Sequence, residues 1–194
     1  MTAHTAAGKL QGLHDDALWY EAAFVVGMTN ALNVVADALA PQSGVMLLTP
    51  VEEASADRQT VAVFADIRTF YDRPEVPLPF RLMAHDPGYL AEVWPAVQRA
   101  FTEQHLTRRL KESLAFAVSV TSRSAFGTAF HLAEMRRLGV SASGVMEVLG
   151  VTQMFSSYTK IADTLHLEPD MADIAPVDWS PAPGGECLPP RQHQ

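Results

Sequence analysis

The segment from Leu110 to Gly139 constrains the fold more than any other part of the chain, because it has the strongest helical periodicity. Its apolar side chains recur every three or four residues, at Leu110, Leu114, Ala117, Val118, Phe126, Phe130, Ala133 and Leu138. Serine and threonine residues interrupt this pattern after Val118, and Gly139 is a typical helix stop. The segment therefore predicts two consecutive helices.

Three polar residues lie within this apolar pair of helices: Glu112, Ser124 and His131. Ser124 and His131 are separated by close to two helical turns, which predicts that they share one face of the second helix. Gly127, between them, is predicted to leave that face open to a small molecule. The alternative is structural, since a single histidine on a helix is more often a packed or surface residue than a catalyst. Spacing alone favours the structural alternative.

The composition indicates one domain. A chain of 194 residues, 48% of them hydrophobic, can bury a substantial core, and its strong patterns are helical, so we predict a single all-α domain. The net charge of −8 argues against a nucleic-acid partner, which would require clustered lysine and arginine. Arg108, Arg109 and Lys111 do cluster, but we interpret them as a solvated helix face.

The sequence carries no evident targeting signal. Its N-terminus, MTAHTAAGKLQG, has no apolar signal core, and no apolar run is expected to reach the ~20 residues of a membrane-spanning helix. Cys187 is the single cysteine, so nothing indicates an oxidising compartment. We expect a cytoplasmic protein with no membrane partner.

The predicted boundaries divide the chain into three parts. Residues 1–13 are expected to be a flexible arm, residues 14–165 a helical domain, and residues 166–194 a proline-rich extended tail. Within the domain, a long helix is predicted from Asp15 or Asp16 to Pro41, with its apolar stripe buried. Further predicted features are a capping box at residues 49–52, a stiff connector at residues 73–79, a helix start at Asp86, and two helices at residues 141–149 and 151–165.

Two further residues are candidate ligands, Glu134 for a metal and Arg81 for a substrate. Glu134 lies three positions after His131, but no third ligand completes a metal site, so we predict neither a metal nor a cofactor. Arg81 lies in an apolar segment and is a candidate for binding a substrate carboxylate. An internal ion pair of Arg81 with Asp86 or Glu92 is the alternative.

Four segments carry a family resemblance: FRLMAHDPGYL, RLKESLAFAVSV, SAFGTAFH and GVSASGVMEVLGVTQMFSSYTKIADTL. In order and composition they resemble the core of the alkylhydroperoxidase D/carboxymuconolactone decarboxylase superfamily, which implies an all-α helical bundle. The resemblance implies that the relay glutamate and histidine of the peroxidase members correspond to Glu112 and His131. The two redox cysteines correspond to Ser124 and Gly127, so the thiolate that attacks peroxide is absent here.

A narrower resemblance covers residues 65–97, ADIRTFYDRPEVPLPFRLMAHDPGYLAEVWPAV. This segment is similar to the group I 2-haloacid dehalogenases, an all-helical family built from two related repeats. Residues 25–39 and 151–165 share Val, Met, Ala-Asp and Leu, as such a repeat would produce. The aspartate that would activate water in that family corresponds to Pro79, so the chain departs from its mechanism there.

The resemblances imply a cofactor-independent enzyme that carries out acid/base chemistry on a small substrate with a carboxylate or carbonyl group. Glu112 would orient His131, His131 would transfer the proton, and Ser124 and Arg81 would bind the substrate. Decarboxylation, hydrolytic dehalogenation and a related elimination or isomerisation all fit this description. The competing hypothesis is a non-catalytic helical scaffold or regulatory protein. Either way, we expect a homo-oligomer, because family members usually bury exposed apolar helix faces against another copy.

Overall fold

Seven α-helices and a short 3₁₀ helix make up the described part of the chain, which contains no strand. The computed structural model describes residues 16–40 and 46–166. The α-helices are α1 (Asp16–Leu39), α2 (Arg58–Tyr71), α3 (Leu78–Met83), α4 (Pro87–Phe101), α5 (Arg108–Thr121), α6 (Ala125–Arg137) and α7 (Ala142–Thr164), and the 3₁₀ helix is Glu53–Ser55. The all-α prediction is confirmed. The predicted arm, the tail beyond His166, the helix stop at Pro41 and Cys187 lie outside the described residues.

Side-chain caps explain where most of these helices begin. The side chain before the first helical residue accepts a backbone N–H from the first turn in α2, α4, α5, α6 and α7, through Asp57, Asp86, Thr107, Ser124 and Ser141 respectively. Such caps satisfy backbone donors that have no partner inside the helix. The predicted start at Asp86 is therefore confirmed, as is the stop at Gly139, which adopts a φ of +80°.

Three predicted boundaries are wrong. The capping box at residues 49–52 does not start a helix, because Asp57 caps α2 instead and the Val51 N–H donates to the Arg81 carbonyl. The connector at residues 73–79 is shorter than predicted, since α3 already begins at Leu78. The two helices predicted after Gly139 are one continuous helix, α7, which passes through Gly150.

The core lies where α1 packs across the hairpin of α5 and α6 and against α3 and α4, with α2 packed on α4. It is rich in aromatic residues, which meet mainly edge to face: Phe70, Tyr71, Phe80 and Trp94 pack against one another with ring centroids 5.2 to 6.3 Å apart. Phe130 of α6 joins this cluster through Tyr71. The aromatic cluster therefore extends to the residue next to His131.

Two long helices leave much apolar surface uncovered. No residue of α7 is buried, and Met146, Val151, Phe155 and Tyr158 are all more than half exposed. In α1 the predicted stripe is only partly buried, since Val25 and Leu32 are buried whereas Trp19 of the same stripe is 38% exposed. Exposed apolar side chains grouped on a helix in this way are typical of an interaction site.

By length and composition, the segment Ala17–Leu39 is also apolar enough to cross a membrane, so the expectation that no run reaches that length is wrong. A core helix of a soluble protein can meet the same criterion, although only 28% of the apolar 18-residue window in this helix is buried.

Candidate active site

Glu112 and His131 meet in the interior between α5 and α6. His131 Nδ1 lies 2.7 Å from Glu112 Oε2, and the two residues are 3% and 0% exposed. With Glu112 ionised, Nδ1–H is the donor, which leaves Nε2 of the neutral ring as the nitrogen that can accept a proton. The predicted contact is present. The catalytic roles of the two residues remain a prediction.

Arg108 completes the pair into a triad. Its Nε donates to Glu112 Oε1 over 2.7 Å, one helical turn away, and its guanidinium lies over the Phe70 and Phe101 rings at 4.6 and 5.2 Å. The interpretation of Arg108 as a solvated residue is therefore wrong, because aromatic faces and a buried carboxylate stabilise the cation. One of its terminal nitrogens, Nη2, is buried without a hydrogen-bond partner among the described residues.

Aromatic rings enclose the histidine. Phe101 stacks on His131 with an interplanar angle of 11°, and Phe130 meets it edge-on with the centroids 5.2 Å apart. Tyr71 lies in the same cluster, and burial together with the negative charge of Glu112 raises the pKa of its hydroxyl. Tyr71 therefore stays protonated at neutral pH.

Ser124 has a structural function in this arrangement. It precedes α6 as the N-cap, its oxygen accepts the Gly127 N–H, and its hydroxyl donates to Asp37 over 3.1 Å. Ser124 and His131 therefore do not share a face within one helix as predicted. The proposed hydrogen bond from Ser124 to a substrate would have to replace the one to Asp37.

The surface around Gly127 is filled rather than open. A Cβ atom at this position would lie 2.5 Å from Ser119 Oγ and 3.0 Å from Asn33 Cγ, with Asn33 Oδ1 closer still. The Asn33 amide in turn donates to Ser119 and Ser122. The prediction that Gly127 leaves space for a small molecule is wrong, because α1 supplies a polar side chain to that space.

Arg81 pairs with neither of the predicted carboxylates. Its guanidinium forms an ion pair with Glu52, and its Nε lies 3.4 Å from the Val51 carbonyl oxygen. Arg81 does not contact Glu112 or His131, so the four predicted site residues are not all brought together. Arg81 instead lines a cavity of about 460 Å³ together with Phe126 and Phe130.

Sequence reasoning treated Glu134 only as a possible metal ligand and missed that its carboxylate is buried and paired with two arginines. Arg73 contacts its Oε1 at 2.7 Å, and Arg137 contacts its Oε2 at 2.8 Å. The sequence shows that Glu134 and Arg137 are three positions apart, which places them on adjacent turns of a helix. It does not show the pairing with Arg73, because Arg73 lies 61 positions from Glu134. Both oxygens of Glu134 are thus engaged by arginine. Within residues 16–40 and 46–166, no three His, Cys, Asp or Glu side chains are grouped to hold a metal ion.

Two comparisons with known proteins concern the fold and the family. Residues 87–167, which include Glu112 and His131, match the profile of the Carboxymuconolactone decarboxylase family. The structure is similar to the alkylhydroperoxidase AhpD core from Rhodospirillum rubrum, with a TM-score of 0.62, 24% identity, and coverage of 66% of this chain and 97% of that one. The chain has the alkylhydroperoxidase D-like fold.

The profile match covers residues 87–167, less than half of the chain, and the structural match shows the fold. Neither comparison shows the resemblance to group I 2-haloacid dehalogenases. No curated protein matches the chain. Members of one fold carry out different reactions, so the activity has to be argued from the site itself.

Proposed function

We propose that the protein is a cofactor-independent enzyme that transfers a proton to or from a small substrate with a carboxylate or carbonyl group. The observation that carries the proposal is the buried contact of 2.7 Å between His131 and Glu112. A histidine held by a carboxylate in this way is a common general acid/base arrangement. Decarboxylation, hydrolytic dehalogenation and a related elimination or isomerisation remain the reaction classes.

Each member of the triad has a separate role in this proposal. Glu112 accepts Nδ1–H and fixes the ring orientation, so that Nε2 exchanges the proton with the substrate. Arg108 balances the charge of Glu112 in the interior, where an unpaired carboxylate would be costly. The resulting triad is neutral before the reaction and gains one positive charge when His131 is protonated.

Access to His131 would pass Phe130. This residue contacts the His131 ring on one side and lines the cavity of about 460 Å³ on the other. A substrate in the cavity is therefore separated from His131 by one aromatic side chain. We propose that Phe130 changes its rotamer when substrate binds, which would expose Nε2 while keeping bulk water away.

We also propose that the protein acts as a cytoplasmic homo-oligomer. Helix α7, which has no buried residue, and the exposed part of α1 support this proposal, because a second copy could bury both apolar surfaces.

A non-catalytic scaffold is the second candidate, and one feature favours it. The buried charges of this protein are generally paired internally: Lys111 with Glu21, Glu134 with two arginines, and Glu112 with Arg108. The histidine contact would then be one more structural pair in the interior, with Phe101 and Phe130 filling the space around it.

Substitution at His131 separates the two candidates. Small carboxylic acids, haloacids and keto acids would be screened by NMR in D₂O for solvent exchange, loss of CO₂ or release of halide. His131→Gln is expected to lower the rate of any turnover by about 10²-fold or more with the helical content unchanged, because general acid/base steps contribute that much. His85→Gln, which alters an exposed histidine bound to the Thr49 carbonyl, is the matched control and should keep full activity. Turnover that survives in His131→Gln would refute the assignment of His131 as the acid/base residue. The scaffold would be favoured if the wild type turned over none of the compounds and His131→Gln changed only the stability of the protein.

A further inference from the structure

A long groove lies between the end of α5 and one side of α7. Its volume of about 1020 Å³ is at the upper end of the range of about 300–1,000 Å³ for small-molecule sites. The lining side chains of α7 extend from Met146 to Ile161, which is about 22 Å along the helix axis. Val120, Thr121 and Arg123 line the other side. The groove therefore matches about seven residues of extended chain better than a compact small molecule.

The charged side chains of the lining are both cations, Arg123 and Lys160. Neither side chain forms a hydrogen bond or an ion pair with another residue in the described part of the chain. Asp163 lies one turn beyond Lys160 on α7, but it does not line the groove and is not ion-paired to Lys160. Since the whole chain carries a net charge of −8, an unpaired cationic groove on it favours an acidic occupant.

The groove and the exposed apolar stripe of α7 lie on different sides of the helix. Val151, Phe155 and Tyr158 belong to the stripe, whereas Leu149 and Ser156 line the groove. Successive helical residues are rotated by about 100°, which places the middle of the stripe nearly opposite the middle of the groove. A second copy that covers the stripe therefore leaves the groove free for another occupant.

The sequence after α7 has the composition that complements this groove. Residues 167–179, LEPDMADIAPVDW, contain four acidic side chains and no lysine, arginine or histidine. Large apolar side chains are interspersed among these acids. Such a segment fits a groove whose lining combines the cations Arg123 and Lys160 with the apolar side chains of Leu149 and Ile161.

The point of attachment also favours this segment. His166, at the end of α7, has a φ of +50°, the left-handed conformation with which helices commonly end. Lys160 precedes His166 by about 9 Å along the helix axis, and residues 167–179 reach up to about 43 Å when extended. The segment is therefore long enough to turn back and follow the groove. A covalent tether gives an effective concentration of the order of mM, so weak contacts are sufficient.

We propose that residues 167–179 bind in the groove of their own chain, with their carboxylates at Arg123 and Lys160. Gln153 and Ser156 also line the groove, and their side chains have no partner among the described residues, so they can hydrogen-bond the backbone of the bound segment. Exposed charge pairs are screened by salt, so this binding weakens as the ionic strength rises. The inference is independent of the proposed catalysis.

Amide NMR spectra of the full chain test the contact. Replacing Asp170 and Asp173 together, by Asp170→Asn and Asp173→Asn, should shift the amides of Arg123 and Ser156. Raising the salt from about 0.05 to about 0.5 M should shift the same amides in the wild type, and at least about threefold less in the double variant. Glu186→Gln removes an acid beyond the proposed segment and should leave both amides unchanged. The proposal is overturned if the double variant shifts only amides beyond residue 166.

Cross-linking determines which chain supplies the segment. A carbodiimide joins an amine to a carboxylate in contact with it, and Arg123→Lys supplies an amine without changing the charge. In a mixture of isotopically labelled and unlabelled protein, mass spectrometry should find position 123 joined to an acid of residues 168–178 of the same chain. Arg136→Lys, at an exposed position of α6 outside the groove, is the matched control and should give at least about tenfold less of this product. A product formed only between chains would assign the groove to a second copy and overturn the proposal, as would no product or an equal yield in the control.

Discussion

Replacing Gly127 with alanine tests whether the space beside α6 is filled or open. The added Cβ would lie 2.5 Å from Ser119 Oγ and 3.0 Å from Asn33 Cγ, both closer than unstrained atoms approach. Neither neighbour moves freely, because the Asn33 amide donates to the Ser119 hydroxyl and that hydroxyl donates to the Ala115 carbonyl. The substitution therefore has to displace a buried hydrogen-bonded pair.

The magnitude follows from three terms. Overpacking a well-filled interior costs about 1–3 kcal/mol. Disturbing the Asn33–Ser119 hydrogen bond costs about a further 1 kcal/mol. Replacing glycine in a helix returns up to about 1 kcal/mol, less near the first turn, where Gly127 lies. The free energy of unfolding should thus fall by about 1–4 kcal/mol.

Urea denaturation followed by circular dichroism measures this change, and α7 offers a matched control. Gly150 is also helical, but no atom lies within 4 Å of a Cβ built on it. Gly150→Ala should therefore stabilise the protein by about 0.5–1 kcal/mol, through helix propensity alone.

A double-mutant cycle locates the cause. If Asn33 is the obstacle, Gly127→Ala should cost less in an Asn33→Ala background than in the wild type, because neighbouring sites are not additive. The reasoning would be refuted if Gly127→Ala were as stabilising as Gly150→Ala, since the pocket beside α6 would then be open as the sequence alone suggested.

Three other predictions concern the ion pair, the redox chemistry and the oligomer. Burial raises the pKa of Glu21, but the Lys111 ammonium and two backbone N–H groups lower it further, to below the usual 4.5 of a glutamate. The contribution of Glu21 to stability is therefore present above pH 4.5 and is lost as the pH falls through the lower folded pKa. Urea denaturation should show a steeper loss of stability below pH 4.5 in the wild type than in Glu21→Gln. Thiol-dependent peroxidase activity should be absent, and Ser124→Cys with Gly127→Cys should not create it, because position 127 has no room for a side chain; peroxide consumption that depends on Cys187 would contradict this. Light scattering at micromolar concentration should give a mass above the 21.1 kDa of one chain, reduced by Phe155→Glu on exposed α7, whereas a wild-type monomer would exclude the proposed oligomer.

Local chemistry in the sequence was sufficient to predict the helical class and several helix limits. The periodicity from Leu110 onward, the cap at Asp86 and the stop at Gly139 all depend on residues within one or two turns, so they could be identified without knowing the fold. The pairing of Glu112 with His131 was also anticipated, but through the family resemblance rather than through spacing.

Long-range contacts decided the rest. Arg73 reaches Glu134 across 61 positions, and Asn33 reaches Ser119 across 86, so no local pattern could show that the first pair is buried or that the second fills the space at Gly127. Arg108 was predicted to be solvated because a guanidinium is well hydrated in water. In the folded protein the rings of Phe70 and Phe101 pack around this cation and stabilise it in the interior. The sequence by itself determined which segments are helical, since helix formation depends on near neighbours. Tertiary packing determined which charges are buried and which cavities remain, since both depend on residues brought together from distant parts of the chain.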